Sequence, residues 1–204
     1  MMLIFDLDDT LVHTHRKAYE KTNAAAATLG KWISFGDFSA VYGKMDFDSC
    51  VKHWFDIDPV DFRERYEHLR EQYPYEPIGD VHDLLSRLQN HTLGLITNSS
   101  YAGMNYKLQC ARIDPKQFTF MYHKDNMIQP KPDAAQIHAL ISDGYTPESM
   151  IYVGDNVRDY RFACAGGIQF YAVLTGLERK EDFLQAGLQD EMILHNVQDL
   201  RQLY

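Results

Sequence analysis

Short, almost wholly apolar runs alternate along the chain with longer stretches in which apolar residues recur every three or four positions. The runs are Met2–Phe5, Leu93–Thr97, Phe118–Tyr122, Met150–Val153 and Gln169–Val173, with a weaker one at Met192–His195. Short segments apolar on both faces suit strands covered on both sides, as in a parallel sheet. The intervening period predicts helices over Val81–Gln89, Tyr101–Ala111, Pro132–Ser142, Val157–Ala165, Glu178–Ala186 and Val197–Leu203. Strand–helix alternation of this kind predicts an α/β fold with a doubly wound parallel sheet.

The first connection breaks the pattern. Roughly 80 residues separate the first strand from the second, against ~30 for an ordinary β-α-β unit. Their period is helical at Lys17–Leu29, Phe35–Tyr42, Phe47–Phe55 and Val60–Gln72, and Pro74, Pro77 and Gly79 then interrupt it. A structureless loop of that length does not belong in a compact domain. The pattern therefore predicts an all-helical module over residues 15–77, set into an α/β core made of 1–14 and 78–204.

Composition narrows the function classes. The 204 residues carry 20 Lys+Arg against 29 Asp+Glu, a formal net charge of −9, with no run of five like charges. Such a chain is repelled by nucleic acid and by anionic membrane surfaces. No apolar stretch approaches the roughly 18 residues a membrane span needs. The amino terminus lacks the basic start and long apolar core of a secretory signal. Cys50, Cys110 and Cys164 are odd in number and widely spaced, which predicts reduced, mostly packed thiols rather than zinc ligands or disulfides. These features place the protein in the cytoplasm, with a small molecule as partner; the pattern specifies neither monomer nor dimer.

Candidate chemistry gathers where strands end. Met2–Phe5 runs into Asp6-Leu7-Asp8-Asp9-Thr10, and Met150–Val153 runs into Gly154-Asp155-Asn156-Val157-Arg158-Asp159. Acids crowded after a buried strand raise one another's pKa and oppose folding unless a cation joins them. Hard carboxylate ligands suit Mg²⁺. With Val157 onward helical, Asp155 sits near the helix start and Asp159 one turn further on the same side. The second strand ends in Thr97-Asn98-Ser99-Ser100, hydroxyl and amide donors at a helix start, where anions are favoured. After the third strand, Gln129-Pro130-Lys131-Pro132 presents a lysine from a stiffened loop and opens the next helix. In open α/β sheets the carboxyl edge of the strands is where ligands bind.

Asp6-x-Asp8-x-Thr10, Ile96-Thr97-Asn98, Lys131-Pro132 and Gly154-Asp155-x-x-x-Asp159, in that order, resemble the four signature motifs of the haloacid dehalogenase superfamily. The helical insertion resembles that family's α-helical cap. Ala163-Cys164-Ala165-Gly166-Gly167 and Thr175-Gly176-Leu177 resemble its phosphoglycolate phosphatase branch. The resemblance implies a Mg²⁺-dependent phosphatase acting on a small phosphomonoester through an aspartyl-phosphate. It makes Asp6 the nucleophile and Asp8 the acid that protonates the leaving oxygen, then the base that activates water. It gives Mg²⁺ to the Asp6 side chain, the Asp8 backbone carbonyl and Asp155, with Asp159 assisting, and the phosphoryl oxygens to Thr97, Lys131 and the backbone at Asn98.

Gly43-Lys44 resembles the short glycine-plus-basic loop by which related caps touch substrate, so Lys44 is a further substrate-binding candidate. Tyr42, Phe47, Trp54 and Phe55 fall at helical spacing, which favours packing over a substrate surface. Rival readings are a metal-free dehalogenase, disfavoured by Asp8, Asp155 and Asp159; a phosphomutase of the β-phosphoglucomutase type, which would carry a histidine where Ala18 stands; and a non-enzymatic binding protein on the same fold.

Overall fold

The computed structural model describes residues 1–203. The chain begins with β1 (Met2–Phe5) and a two-residue β2 (Val12–His13). Four helices follow: α1 (His15–Ala27), α2 (Phe35–Val41), α3 (Phe47–Phe55) and α4 (Pro59–His68). Then come β3 (Glu76–Pro77), α5 (Val81–Arg87), β4 (Thr92–Ile96), α6 (Tyr101–Cys110) and β5 (Phe120–Tyr122). The chain continues through α7 (Ala135–Ser142), β6 (Met150–Gly154), α8 (Val157–Ala165), β7 (Gln169–Val173), α9 (Lys180–Gln185) and β8 (Ile193–Leu194). It divides into two compact units, Met1–His13 with Glu76 onward, and Thr14–Tyr75.

The first unit is built on a six-stranded sheet in the order β5-β4-β1-β6-β7-β8, with every neighbouring pair parallel. All of β1 and β6 is buried, as their uninterrupted apolar character requires. Ile4, Tyr152, Phe162, Phe170 and Phe183 form the centre of the apolar core. In β4, a Cβ on Gly94 would stand 2.3 Å from the Phe120 ring of β5, so only glycine lets that ring lie across the strand.

Register sets up the site. Phe5 of β1 pairs with Leu95 of β4 on one side and Val153 of β6 on the other. The three strands therefore end within one residue of one another, and the residues that follow them, Asp6, Thr97 and Asp155, emerge along one edge.

The second unit is helical, with Phe38, Val51, Phe55, Phe62 and Tyr66 packed beside Ala18, Ala25 and Ala26. The small alanines keep the inner face of α1 thin. Three of its four helices start where the sequence supplies caps: Ser34 accepts from the Asp37 amide, Asp46 from Ser49, and Asp58 from Val60 with Pro59 following. Asp56, in the left-handed region at φ 50°, ends α3.

Several boundaries differ from expectation. The helix expected to open at Pro132 begins at Ala135, because the chain turns through Pro132–Ala134 after a cis Lys131–Pro132 bond. Val197–Gln202 winds as a 3₁₀ helix rather than an α-helix. The ribbon of β2 on β3, pairing Val12 with Pro77 and His13 with Glu76, was too short to show as a hydrophobic run. Of the three free cysteines only Cys50 is buried, and Cys164 is exposed on α8, so the thiols are not mostly packed. Among the described residues no helix is long and apolar enough to cross a membrane.

Candidate active site

Two acidic turns meet at the sheet's carboxyl edge. Asp6 leaves β1 with its amide bonded to the Val153 carbonyl of β6 at 2.9 Å, which ties the first turn to the strand feeding the second. Asp9 takes a left-handed conformation at φ 51°, and its carbonyl accepts from the Thr175 hydroxyl. Thr10 Oγ1 lies 3.5 Å from Asp155 Oδ1. One oxygen each from Asp6, Asp155 and Asp159 lies within 4.8 Å of the others, and all three residues are buried.

Lys131 holds this cluster together. Its ammonium donates to Asp6 Oδ1 at 2.9 Å, Asp159 Oδ1 at 2.6 Å and the Tyr152 hydroxyl at 2.7 Å, and its side chain is wholly buried. Three N–H groups meet three acceptors, so the lysine is saturated. Tyr152 in turn donates to the Ile96 carbonyl at 2.7 Å. Asn98 fixes the lysine's backbone: its amide nitrogen donates to the Lys131 carbonyl at 3.0 Å and its side-chain oxygen accepts the Lys131 N–H at 2.9 Å.

The charge balance is uneven. Burial pushes the Asp6 carboxyl up to about 6, with Lys131 opposing and Asp159 and Asp8 adding to the rise. Burial first, then Asp159, Asp6 and Asp9, hold Asp155 well above the ordinary carboxylate range. Burial would lower Lys131, but Asp159 and Asp6 outweigh it and the lysine is raised. One buried ammonium does not neutralise three buried carboxylates. Asp159 Oδ2 is buried with no hydrogen-bond partner. Glycine keeps space open around these oxygens: a Cβ on Gly154 would lie 2.7 Å from Asp159 Oδ2, and one on Gly176 would lie 1.9 Å from Asp155 Oδ2. Excess negative charge, an orphaned oxygen and hard donors at this spacing fit a divalent cation such as Mg²⁺.

Asp8 stands apart from the trio. Its Oδ2 accepts from Ser99 Oγ at 2.8 Å and from Thr97 Oγ1 at 3.3 Å, and its Oδ1 accepts from the Lys107 ammonium. Thr97, fully buried, also accepts from the Ser99 amide at 3.1 Å. The sequence-derived candidates thus fall into two groups: Asp6, Asp155, Asp159 and Lys131 with Asn98, and Asp8 with Thr97. The helix after β6 is capped by Asn156, which accepts from the Arg158 amide, and not by Asp155. That frees Asp155 for the cluster.

Lys44 lies in the helical unit, exposed, and donates to the Ala40 carbonyl in the last turn of α2 at 2.9 Å. The aromatic residues there pack on one another: Phe38 stacks on Tyr42 at 4.5 Å and on Trp54 at 4.9 Å, and Phe47 lies 4.8 Å from Tyr66. Lys107 and Tyr152 had no place among the candidates, and Ser99 entered only as one of the donors after the second strand. Both unforeseen residues left a trace. Lys107 sits on the same helical face as Met104 and Leu108, where a charge is out of keeping, and Tyr152 puts a hydroxyl inside an apolar strand.

Residues 3–173 match the family described as haloacid dehalogenase-like hydrolase. The chain is 25% identical to Phosphoglycolate phosphatase 1 of Pseudomonas aeruginosa over 219 residues, covering 98% of this chain and 78% of that one. Among solved structures it is similar to a provisionally named beta-phosphoglucomutase from Thermotoga maritima, with TM-score 0.81 and 19% identity over 99% of this chain and 97% of that one. It is equally similar to a provisionally named phosphoglycolate phosphatase from Haemophilus somnus 129pt, with TM-score 0.80 and 19% identity over 99% and 96%. These two likenesses concern the fold, whereas the family match runs from the first strand through β7 and takes in both acidic turns. The chain belongs to the haloacid dehalogenase-like hydrolases.

Proposed function

We propose that the protein is a Mg²⁺-dependent phosphatase that hydrolyses a small phosphomonoester through an aspartyl-phosphate on Asp6. The observation that carries this reading is the convergence of Asp6, Asp155 and Asp159 on Lys131, level with Thr97 and Asp8, at one edge of the sheet. Asp6, Asp155 and Asp159, with the Asp8 backbone, would hold the cation, which supplies positive charge against the phosphoryl oxygens and keeps Asp6 ionised.

The chain's own groups do the rest. An Asp6 oxygen bonds to phosphorus as the ester P–O bond breaks; the electron pair stays on the ester oxygen, which takes a proton from Asp8. Water then attacks phosphorus and gives a proton to Asp8. The Asp6–phosphorus bond breaks, restoring the carboxylate and releasing inorganic phosphate. Lys131, exchanging one of its present acceptors for a phosphoryl oxygen, and Thr97 steady the transferring group, and Asn98 holds the Lys131 loop in place.

Similarity to a phosphoglycolate phosphatase favours a small acidic phosphoester. Lys44 is the side chain of the helical unit assigned to the substrate's non-phosphate end, and Lys44→Ala raises KM on good substrates; an unchanged KM removes that assignment. A mutase reading finds no support at position 18, where a buried alanine offers no group to move a proton. The deciding experiment is phosphate release from a panel of phosphomonoesters with and without Mg²⁺, with mass spectrometry of the acid-quenched protein. Turnover that needs Mg²⁺, with one phosphoryl group trapped on Asp6, is expected. Metal-independent turnover, or none, overturns the reading, and conversion of a sugar 1-phosphate to its 6-phosphate makes the protein a mutase.

A further inference from the structure

Helix α6 buries Met104, Lys107 and Leu108 against the rest of its unit, so a lysine occupies a stripe that is otherwise apolar. The Lys107 ammonium bonds Asp8 Oδ1 and also Ser99 Oγ at 2.7 Å, while Ser99 Oγ lies 2.8 Å from Asp8 Oδ2. An ammonium only donates and a hydroxyl has one hydrogen. Ser99 therefore accepts from Lys107 and passes its own hydrogen to Asp8, so both Asp8 oxygens are held from one side, one directly and one by relay.

Fold stability does not account for this pair. The Lys107 side chain is 11% exposed and Asp8 28%. Stripping water from an ammonium offsets most of what such a pair returns, so the pair by itself says little for stability. A methionine would continue the stripe of Met104 and Leu108. What methionine cannot do is fix the orientation of a carboxyl group.

We propose that Lys107, with Ser99 as its relay, is a positioning residue for Asp8, setting where that carboxyl group stands as the ester bond to phosphorus breaks. The inference rests on the phosphatase reading above and extends it to a residue outside the four motifs. It predicts a graded effect. A basic alkoxide leaving group needs its proton delivered on time, whereas an acidic phenol departs without it.

The test is a leaving-group series, from p-nitrophenyl phosphate to simple alkyl phosphates, with Mg²⁺ present, using Lys107→Met, Lys107→Arg and Ser99→Ala, with Asp8→Asn as the benchmark. Lys107→Met is expected to lower kcat/KM for alkyl phosphates by about 100-fold and for p-nitrophenyl phosphate by less than about tenfold, within the range for one proton-transfer group. Lys107→Arg should restore part of the difference. Asp8 is partly exposed and keeps Ser99 and Thr97 as donors, so thermal melting should show Lys107→Met folded with only a small loss of Tm. Should it melt far lower, Ser99→Ala, which leaves the ion pair in place, must show the same discrimination in smaller measure. A loss that is equal across the series, or no loss, overturns the assignment. A parent protein that hydrolyses neither class overturns the phosphatase reading instead, so the two failures are distinguishable.

Discussion

Asp6 is the residue on which most of the proposed chemistry rests, and its environment makes a clean experiment possible. Its carboxyl is buried and bonded to Lys131, while Asp159 pairs with the same ammonium at 2.6 Å. Asp6→Asn removes a buried negative charge without leaving the lysine alone. Turnover should fall at least about a thousandfold, as for loss of a covalent nucleophile, with Tm unchanged or raised; near-parental phosphate release would dismiss Asp6. Gly176 offers a second handle. A methyl group there would collide with Asp155 Oδ2 at 1.9 Å. In Gly176→Ala, Asp155 must shift, so the metal-free protein should melt somewhat lower and the Tm gain on adding Mg²⁺ should shrink by more than half. A full Mg²⁺ response would show that Asp155 takes no part in holding the metal.

At the level of elements, Phe38 anchors the helical unit, fully buried between Tyr42 and Trp54. Phe38→Ala should cost about 3–5 kcal/mol. Trp32 and Trp54 both lie in this unit and are the chain's only tryptophans, so fluorescence reads its unfolding directly. An unchanged fluorescence midpoint would contradict the packing described. The main strands and the four inserted helices were legible in sequence, because apolar runs and 3.6-residue periods are local signals. So were the acids after β1 and β6, since a carboxylate next to a buried strand is conspicuous. What escaped was settled by contacts between distant segments. The ribbon of β2 with β3 pairs positions 12–13 with 76–77. The partner of the Asp8 side chain is a lysine 99 positions later. The delayed start of α7 follows from the turn around Pro132, where a proline alone suggested a helix opening.

For the molecule as a whole, the buried acids couple stability to pH and to metal. Asp6 moves from an ordinary 3.8 to about 6 in the folded state, and Asp155 is raised as well. A raised carboxyl binds its proton more tightly when folded. Its stabilising contribution is therefore complete below about pH 4 and is lost as pH rises through about 6. Without metal, Tm should decline over that window from these groups. Mg²⁺ needs the ionised forms, so it should raise Tm more near pH 7.5 than near pH 5. At a hundred times its Kd the gain is about 3 kcal/mol, several degrees in a chain of this size. An equal gain at both pH values, or none, would place the cation elsewhere.

The pairing of Val12 with Pro77 and of His13 with Glu76 has a consequence for how such a chain can change. Sixty-odd residues depart and come back through adjoining rungs of one two-rung ladder, which closes the excursion at its base. Lengthening the excursion twofold adds only ~0.6 kcal/mol of closure entropy. An exchange of everything between those rungs is thus cheap in chain entropy, while the strands that carry the acids keep their own pairings.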